Sequence, residues 1–229
     1  MNVKIIHNPK EAIGIAIIID VFRAFTVEPV IINNGAKKLI VIGDKQIAYD
    51  LKKENNDYIL IGERDGIKLP RFDYGNSPSQ IEKVDFTNKV VVHTTSCGTQ
   101  GIVNSINAEE IITGSLVNIS AIVKYINNNN YNDISIVSMA KPGEEPSQED
   151  QLCAEYIKAK LKNKSIDEFN DRILNLKNTS GAKFFDNTLQ KIFPKEDFYL
   201  CTDIDKYNFI LKAEKDVDGY FYMRKIIIQ

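Results

Sequence analysis

Four short stretches of this 229-residue chain place reactive side chains together, three of them just after runs of apolar residues and the fourth after a polar loop. Ile15 to Ile19 runs into Asp20, with Arg23 close behind, and Tyr58 to Gly62 runs into Glu63-Arg64. Lys89 to His93 leads to Thr94-Thr95-Ser96-Cys97-Gly98-Thr99, and Ser147-Gln148 leads to Glu149-Asp150. Asp20, Glu63, Glu149 and Asp150 are hard oxygen ligands, suited to Mg²⁺ rather than to a soft metal. Arg23 and Arg64 carry the planar fork that grips phosphate or carboxylate bidentately. The turn of Thr94, Thr95, Ser96, Gly98 and Thr99 offers hydroxyls and backbone N–H groups at a helix start, an anion-binding arrangement. Together these groups suit metal-assisted hydrolysis of a phosphate ester.

Each group also has a plainer reading. Asp20 can cap the helix that follows it, or pair with Arg23. Glu149 and Asp150 fall in the first turn of a helix preceded by Ser147, where acidic residues favour the helix dipole. Glu63-Arg64 can be an exposed ion pair, and His93 a hydrogen-bonded strand-end histidine rather than a base. Cys97 precedes a helix, where a thiolate is favoured, but no arginine follows at the spacing a cysteine-dependent phosphatase needs. Cys153 and Cys201 read as buried.

These residues need strands that end at one place. Ile15–Ile19 is apolar on both faces and largely β-branched, as in a strand covered on two sides. Residues 23–33 carry helical spacing and stop at Asn34-Gly35. Further strands are expected at 2–6, as an edge, and at 38–42, 58–62, 89–93, 110–113 and 134–139. Helices are expected at 44–53, 100–106, 117–127 and 147–161. The alternation implies βαβ units, a largely parallel sheet and strand ends that share one edge, where ligands bind in open α/β sheets. Residues 65–79 form a long loop rich in Gly, Pro, Asp and Asn, and loops of that length are usually functional. Lys141 to Pro146 reads as a further connecting loop. After Lys164 the pattern gives helices at 167–175 and 181–191 and strands at 208–212 and 220–228, packed on the same single domain.

Composition is that of an ordinary soluble protein, 43% hydrophobic and 26% charged, with a net charge of -2. No basic stripe suggests nucleic acid, and no apolar run suggests a membrane segment or a signal peptide. Three widely spaced cysteines fit a reducing compartment, so a cytoplasmic protein is expected. A two-fold homodimer is the default arrangement if the chain associates. No G-x-x-x-x-G-K-[ST] or G-x-G-x-x-G motif points to a nucleotide. Asp20-Val21-Phe22 also lacks the second aspartate of the haloacid dehalogenase signature.

With these segments in view, the chain resembles the 2-phosphosulfolactate phosphatase (ComB) family. The resemblance rests on IIIDVFRAFT at 17–26, GERDG at 62–66 with FDYGNSP at 72–78, TTSCGTQG at 94–101 and EDQLCA at 149–154. It extends to the tail around Asp197 to Asp203. It implies a three-layer α/β/α fold and Mg²⁺-dependent hydrolysis of 2-phosphosulfolactate to sulfolactate and phosphate, a step of coenzyme M biosynthesis. It also implies that Asp20, Glu63 and Asp150 serve the metal or water activation. Arg23, Arg64, Asn76, Ser77 and the Thr94–Thr99 turn would hold the phosphate and the acidic tail of the substrate. The chain departs from the family pattern at Cys97, where asparagine is usual, and at Arg71, where glycine is usual. Either departure could change the substrate, or leave a module that binds phosphate or sulfonate without turnover.

Overall fold

The computed structural model describes residues 1–139 and 145–229, so the loop expected at Lys141–Pro146 falls mostly outside the described residues. The chain opens with β1 (Asn2–Ile6), β2 (Ile15–Ile19), α1 (Ala24–Asn33), β3 (Lys38–Val41) and α2 (Lys45–Glu54). β4 (Ile59–Arg64), β5 (Ile67–Lys68), α3 (Pro78–Ile81), β6 (Val90–Thr94) and α4 (Gly98–Asn104) follow. Next come β7 (Glu110–Gly114), α5 (Ile119–Asn129), β8 (Asp133–Ser138) and α6 (Gln148–Leu161). The chain closes with α7 (Phe169–Asn175), α8 (Lys195–Cys201), β9 (Phe209–Lys215) and β10 (Phe221–Ile227).

The strands form one mostly parallel sheet in the order β1-β8-β2-β7-β9-β10-β3-β6-β4-β5, with β1 at an edge as expected. Alternation along each strand builds the layers. Ile15, Ile17 and Ile19 of β2 pack with α5 and α6, while Ala16 and Ile18 pack with α1 and Ile102 of α4. On the second half of the sheet, Leu39 and Val41 join that same α1 face, and Ile40 and Val92 cover α2 on the other. The result is a three-layer α/β/α arrangement. α1 is apolar nearly all round and is buried from Ala24 to Ile31, as a helix enclosed between layers must be.

The expected single carboxyl edge is replaced by a different geometry. The C-terminal hairpin β9–β10 sits in the middle of the sheet, antiparallel to β7 on one side and to β3 on the other. Three successive antiparallel pairings reverse the chain sense, so β3, β6 and β4 run opposite to β2, β7 and β8. In a flat sheet the six steps from β2 to β4 would separate those strands by about 29 Å. Strand twist of roughly 20–25° per step accumulates to on the order of 120–150°, which turns the reversed half back towards the first. Asp20 and Glu63 consequently line one cavity.

Three local expectations change. Residues 65–79 are not structureless: β5 pairs with β4, Tyr74 N–H donates to Leu60 O at 3.2 Å, and α3 closes the stretch. The helix expected at 181–191 is only a 3₁₀ turn, Ala182–Phe185. Asp186 ends it by accepting from Thr188 N–H and Oγ1–H at 2.7 and 2.6 Å, the local alternative that aspartate offers a helix. α8 had no counterpart in the sequence pattern.

Candidate active site

Asp20 directly follows β2, and its Oδ1 accepts the Ala24 N–H at 3.1 Å. Helix capping is thus part of its role. Its other oxygen faces Gly98 at the start of α4, where a Cβ would stand 2.7 Å from Asp20 Oδ2 and 2.9 Å from the Ala24 Cβ. Glycine is required there by close approach. Burial pushes the Asp20 carboxyl up to about 7; the N–H groups of Ala24 and Gly98 oppose this, and the charges of Glu63 and Glu149 add to it.

Glu149 and Asp150 are 4% and 7% exposed, so they are not merely solvated first-turn acids. Ser147 makes no side-chain cap bond. Asp150 Oδ1 instead accepts the Val21 N–H at 2.7 Å, which ties α6 to the end of β2. Burial, then the charges of Glu149 and Asp20, holds the Asp150 carboxyl well above the usual carboxylate range. Glu149 Oε2 is buried with no hydrogen-bond partner among the described residues.

A cluster of this kind is costly as anions and is relieved by a hard cation. Among the described residues no three such groups converge to hold a metal ion. The four carboxylates expected as ligands are thus not drawn together as one set among the described residues. Mg²⁺, however, usually keeps several waters and takes one or two protein carboxylates together with substrate oxygens. Asp20 and the unpartnered oxygen of Glu149 fit that smaller demand.

Glu63 is fixed differently. It accepts from Ser96 N–H at 2.7 Å, Ser96 Oγ–H at 3.1 Å and Gly66 N–H at 2.6 Å. Thr95 and Thr99 serve each other: Thr95 N–H donates to Thr99 Oγ1 at 2.9 Å and Thr99 N–H to Thr95 Oγ1 at 3.1 Å. The anion cradle expected at this turn is thus largely occupied by the protein's own groups. Ser96 and Cys97 line the cavity, whereas Thr94 Oγ1 accepts from Arg64 at 2.9 Å, away from it.

The cations also sort differently from expectation. Arg23 does not pair with Asp20. Its Nη1 donates to Asp197 Oδ2 at 2.8 Å and to Ile192 O at 2.9 Å, and its guanidinium lies 4.8 Å over the Phe193 ring. Nη2 reaches Gly66 O at 3.4 Å, which leaves two of its five donors for a ligand. Ser77, expected on the substrate, donates to Asp197 Oδ1 at 2.9 Å. Arg64 faces away from the carboxylates because successive strand residues point to opposite sides. Its guanidinium bonds Glu63 O, Gly43 O and Thr94 Oγ1 and lines a separate, larger cavity of about 720 Å³ that holds none of the four carboxylates.

Asp20, Arg23, Glu63 and Asn76 meet in a cavity of about 280 Å³. Lys183 and Phe193, which carried no signal in the sequence, complete its wall. The Lys183 ammonium lies 5.2 Å over Phe193 and 5.5 Å over Phe184, with no ion-pair partner among the described residues. Cys153 and Cys201 are buried as expected, and burial pushes both thiols up.

An α/β sheet whose two halves bring carboxylates and cations into one small cavity defines a site for a small, multiply charged anion. Comparison with known proteins agrees in class. The family model described as 2-phosphosulpholactate phosphatase matches residues 3–216. The chain belongs to this family. A Bacillus subtilis (strain 168) protein named "Probable 2-phosphosulfolactate phosphatase" is 29% identical over 212 residues, 92% of this chain and 91% of its own. A protein of the same name from Thermoplasma volcanium is 38% identical over 154 residues, 67% of this chain and 71% of its own. Another from Caldanaerobacter subterraneus subsp. tengcongensis is 30% identical over 216 residues and 88% of both chains. The protein is accordingly a phosphoric monoester hydrolase by family, and no described helix is long and apolar enough to cross a membrane.

Proposed function

We propose that this protein hydrolyses 2-phosphosulfolactate to sulfolactate and phosphate with the help of Mg²⁺. The observation that carries the reading is the 280 Å³ cavity in which Asp20 faces Arg23 and Lys183. Its size suits a small acid. Arg23 and Lys183 can bind the phosphoryl and sulfonate oxygens, and the fixed anchors of Arg23 preorganise it for that task. In the overall reaction water oxygen bonds to phosphorus, the ester P–O bond breaks, and the departing alkoxide takes up a proton. Without a cation, burial raises the Asp20 carboxyl to about 7, so a cation bound there displaces a proton near neutral pH. Asp20 and Glu149 would hold Mg²⁺, which supplies charge stabilisation at the phosphoryl oxygens when bound. The same reading takes the protein as cytoplasmic, two-fold if it associates, and without a nucleic-acid partner.

The test is phosphate release from 2-phosphosulfolactate and a panel of 2-phospho-carboxylates, with Mg²⁺ and with EDTA. Release from the sulfonate substrate that EDTA abolishes is the expected result. Release from another 2-phospho acid alone would change the substrate, and release that survives EDTA would remove the metal. Tight binding without release anywhere would overturn catalysis in favour of a binding module.

A further inference from the structure

Behind the cavity wall lie two buried polar side chains that the proposed reaction does not use, joined to Asn76 of the wall itself. Glu28, on the enclosed helix α1, and His93, on β6, are both 0% exposed. Glu28 Oε1 is 3.0 Å from His93 Nδ1, and His93 Nε2 is 3.3 Å from Oδ1 of Asn76, which lines the cavity. The surroundings are apolar: Phe25, Val27, Ile61 and Val91 belong to the same packed face. A carboxyl and an imidazole buried there cost more than two aliphatic side chains unless their direction matters.

The direction can be worked out. Glu28 Oε2 has no hydrogen-bond partner among the described residues, which would leave an ionised carboxylate with a bare charged oxygen. Burial likewise pushes the Glu28 carboxyl up, against the pull of His93. A neutral Glu28 donates its O–H to Nδ1, so the single imidazole hydrogen sits on Nε2. Nε2–H then donates to an oxygen, and Asn76 must present Oδ1. Its NH₂ edge is thereby turned the other way, towards the cavity. With the hydrogen on Nδ1 instead, the amide would reverse and show an oxygen to the ligand, which repels an anion.

We infer that Glu28 and His93 are positioning residues whose relay locks the Asn76 amide with its N–H donors towards an oxyanion of the substrate. Because Glu63 and Asp20 occupy much of the backbone cradle, this amide is one of the few neutral donors left to the cavity. The inference rests on the reading of the cavity as the phosphate-ester site.

The experiment has a spectroscopic and a kinetic arm. The chain has two histidines, so ¹⁵N-histidine spectra of wild type and of His7→Gln assign the His93 ring directly. The expected state at neutral pH has hydrogen on Nε2 and an unprotonated Nδ1. Glu28→Leu should raise KM about tenfold with kcat within roughly threefold, Asn76→Ala should do the same, and Glu28→Gln, which keeps an N–H donor, should restore KM. An Nδ1–H ring in wild type, or an unchanged KM in folded Glu28→Leu, overturns the inference while phosphatase activity stands. Wild type that hydrolyses no ester in the panel overturns the phosphatase reading instead, whatever the ring shows.

Discussion

Arg23 Nη1 and Asp197 Oδ2 form an ion pair at 2.8 Å, 3% and 0% exposed, between residues 174 apart in the chain. Asp197 also accepts from Ser77 Oγ–H, Ser79 N–H and Ser79 Oγ–H, which ties α8 to α3 and both to the start of α1. The pair gives Arg23, which lines the candidate cavity, a fixed position before any ligand arrives. Removing one partner of a buried pair strands the other charge, at about 3–5 kcal/mol. Asp197→Asn should therefore lower stability by that order in urea unfolding, and the double variant Arg23→Met/Asp197→Leu should recover much of it. Single-variant losses under about 1 kcal/mol would mean that Arg23 draws its compensation elsewhere.

Gly98→Ala tests the close approach of α4 to Asp20. At an ordinary helical position alanine stabilises by about 1 kcal/mol relative to glycine. Here the new Cβ would meet Asp20 Oδ2 at 2.7 Å and Ala24 Cβ at 2.9 Å, so the carboxylate must move. We expect a lower Tm and a loss of turnover on the order of 100-fold, since misplacement of about 1 Å has that effect. Unchanged kcat with raised Tm would show that the Asp20 carboxylate can shift without consequence.

Three of the polar stretches were legible because each ended an apolar run, and the structure does bring Asp20, Glu63, Ser96 and Cys97 to one cavity, with Asn76 of the 65–79 loop beside them. Which half of a pair faces that cavity was not legible. Glu63 and Arg64 are adjacent, and only the register of β4 decides that the acid points in and the base points out. The role of Lys183 was hidden for another reason: its segment read as a helix, 181–191, but folds only as a 3₁₀ turn that long-range packing brings to the site, and Asp197 was marked only by the resemblance of the tail. The central place of β9 and β10 was equally hidden, because strand order depends on contacts that a local pattern does not carry. Hydroxyls of Ser77, Thr95 and Thr99 had the right chemistry for a ligand, but neighbouring protein groups already bind them.

Metal and pH should be linked through Asp20 and Asp150. Both carboxyls are raised above their ordinary value of 3.8, Asp20 to about 7, chiefly by burial. A raised folded-state value means the native protein holds protons that the unfolded chain has released. Their stabilising contribution is complete below the unfolded value and is lost as pH rises through the folded one. In EDTA, Tm should therefore fall between about pH 4 and pH 8, and Asp20→Asn should flatten part of that slope. Mg²⁺ favours the ionised carboxylates, so millimolar Mg²⁺ should raise Tm more at about pH 8 than at about pH 5. Thermal scans at both pH values decide this, and no Mg²⁺ effect at the higher pH would remove the cation from the site.

Arg64 and Lys183 offer the sharpest choice between two faces of β4. Arg64 bonds three neighbouring oxygens and lines the larger cavity, so Arg64→Ala should leave KM within about threefold while costing roughly 1–3 kcal/mol of stability through unpaired carbonyls. Lys183 has its ammonium over three aromatic rings at the wall of the smaller cavity, which holds a cation in place without neutralising it. Lys183→Ala should raise KM at least about tenfold with little change in unfolding midpoint, and Lys183→Arg should restore most of the affinity. The steady-state kinetics of the two alanine variants, measured side by side on the same phosphate ester, separate the faces. A tenfold rise in KM for Arg64→Ala with none for Lys183→Ala would move substrate to the other side of the strand. Glu63 would then face away from the chemistry, and its three hydrogen bonds would serve only to hold the β4–β5 turn at Gly66 and the turn after β6 at Ser96.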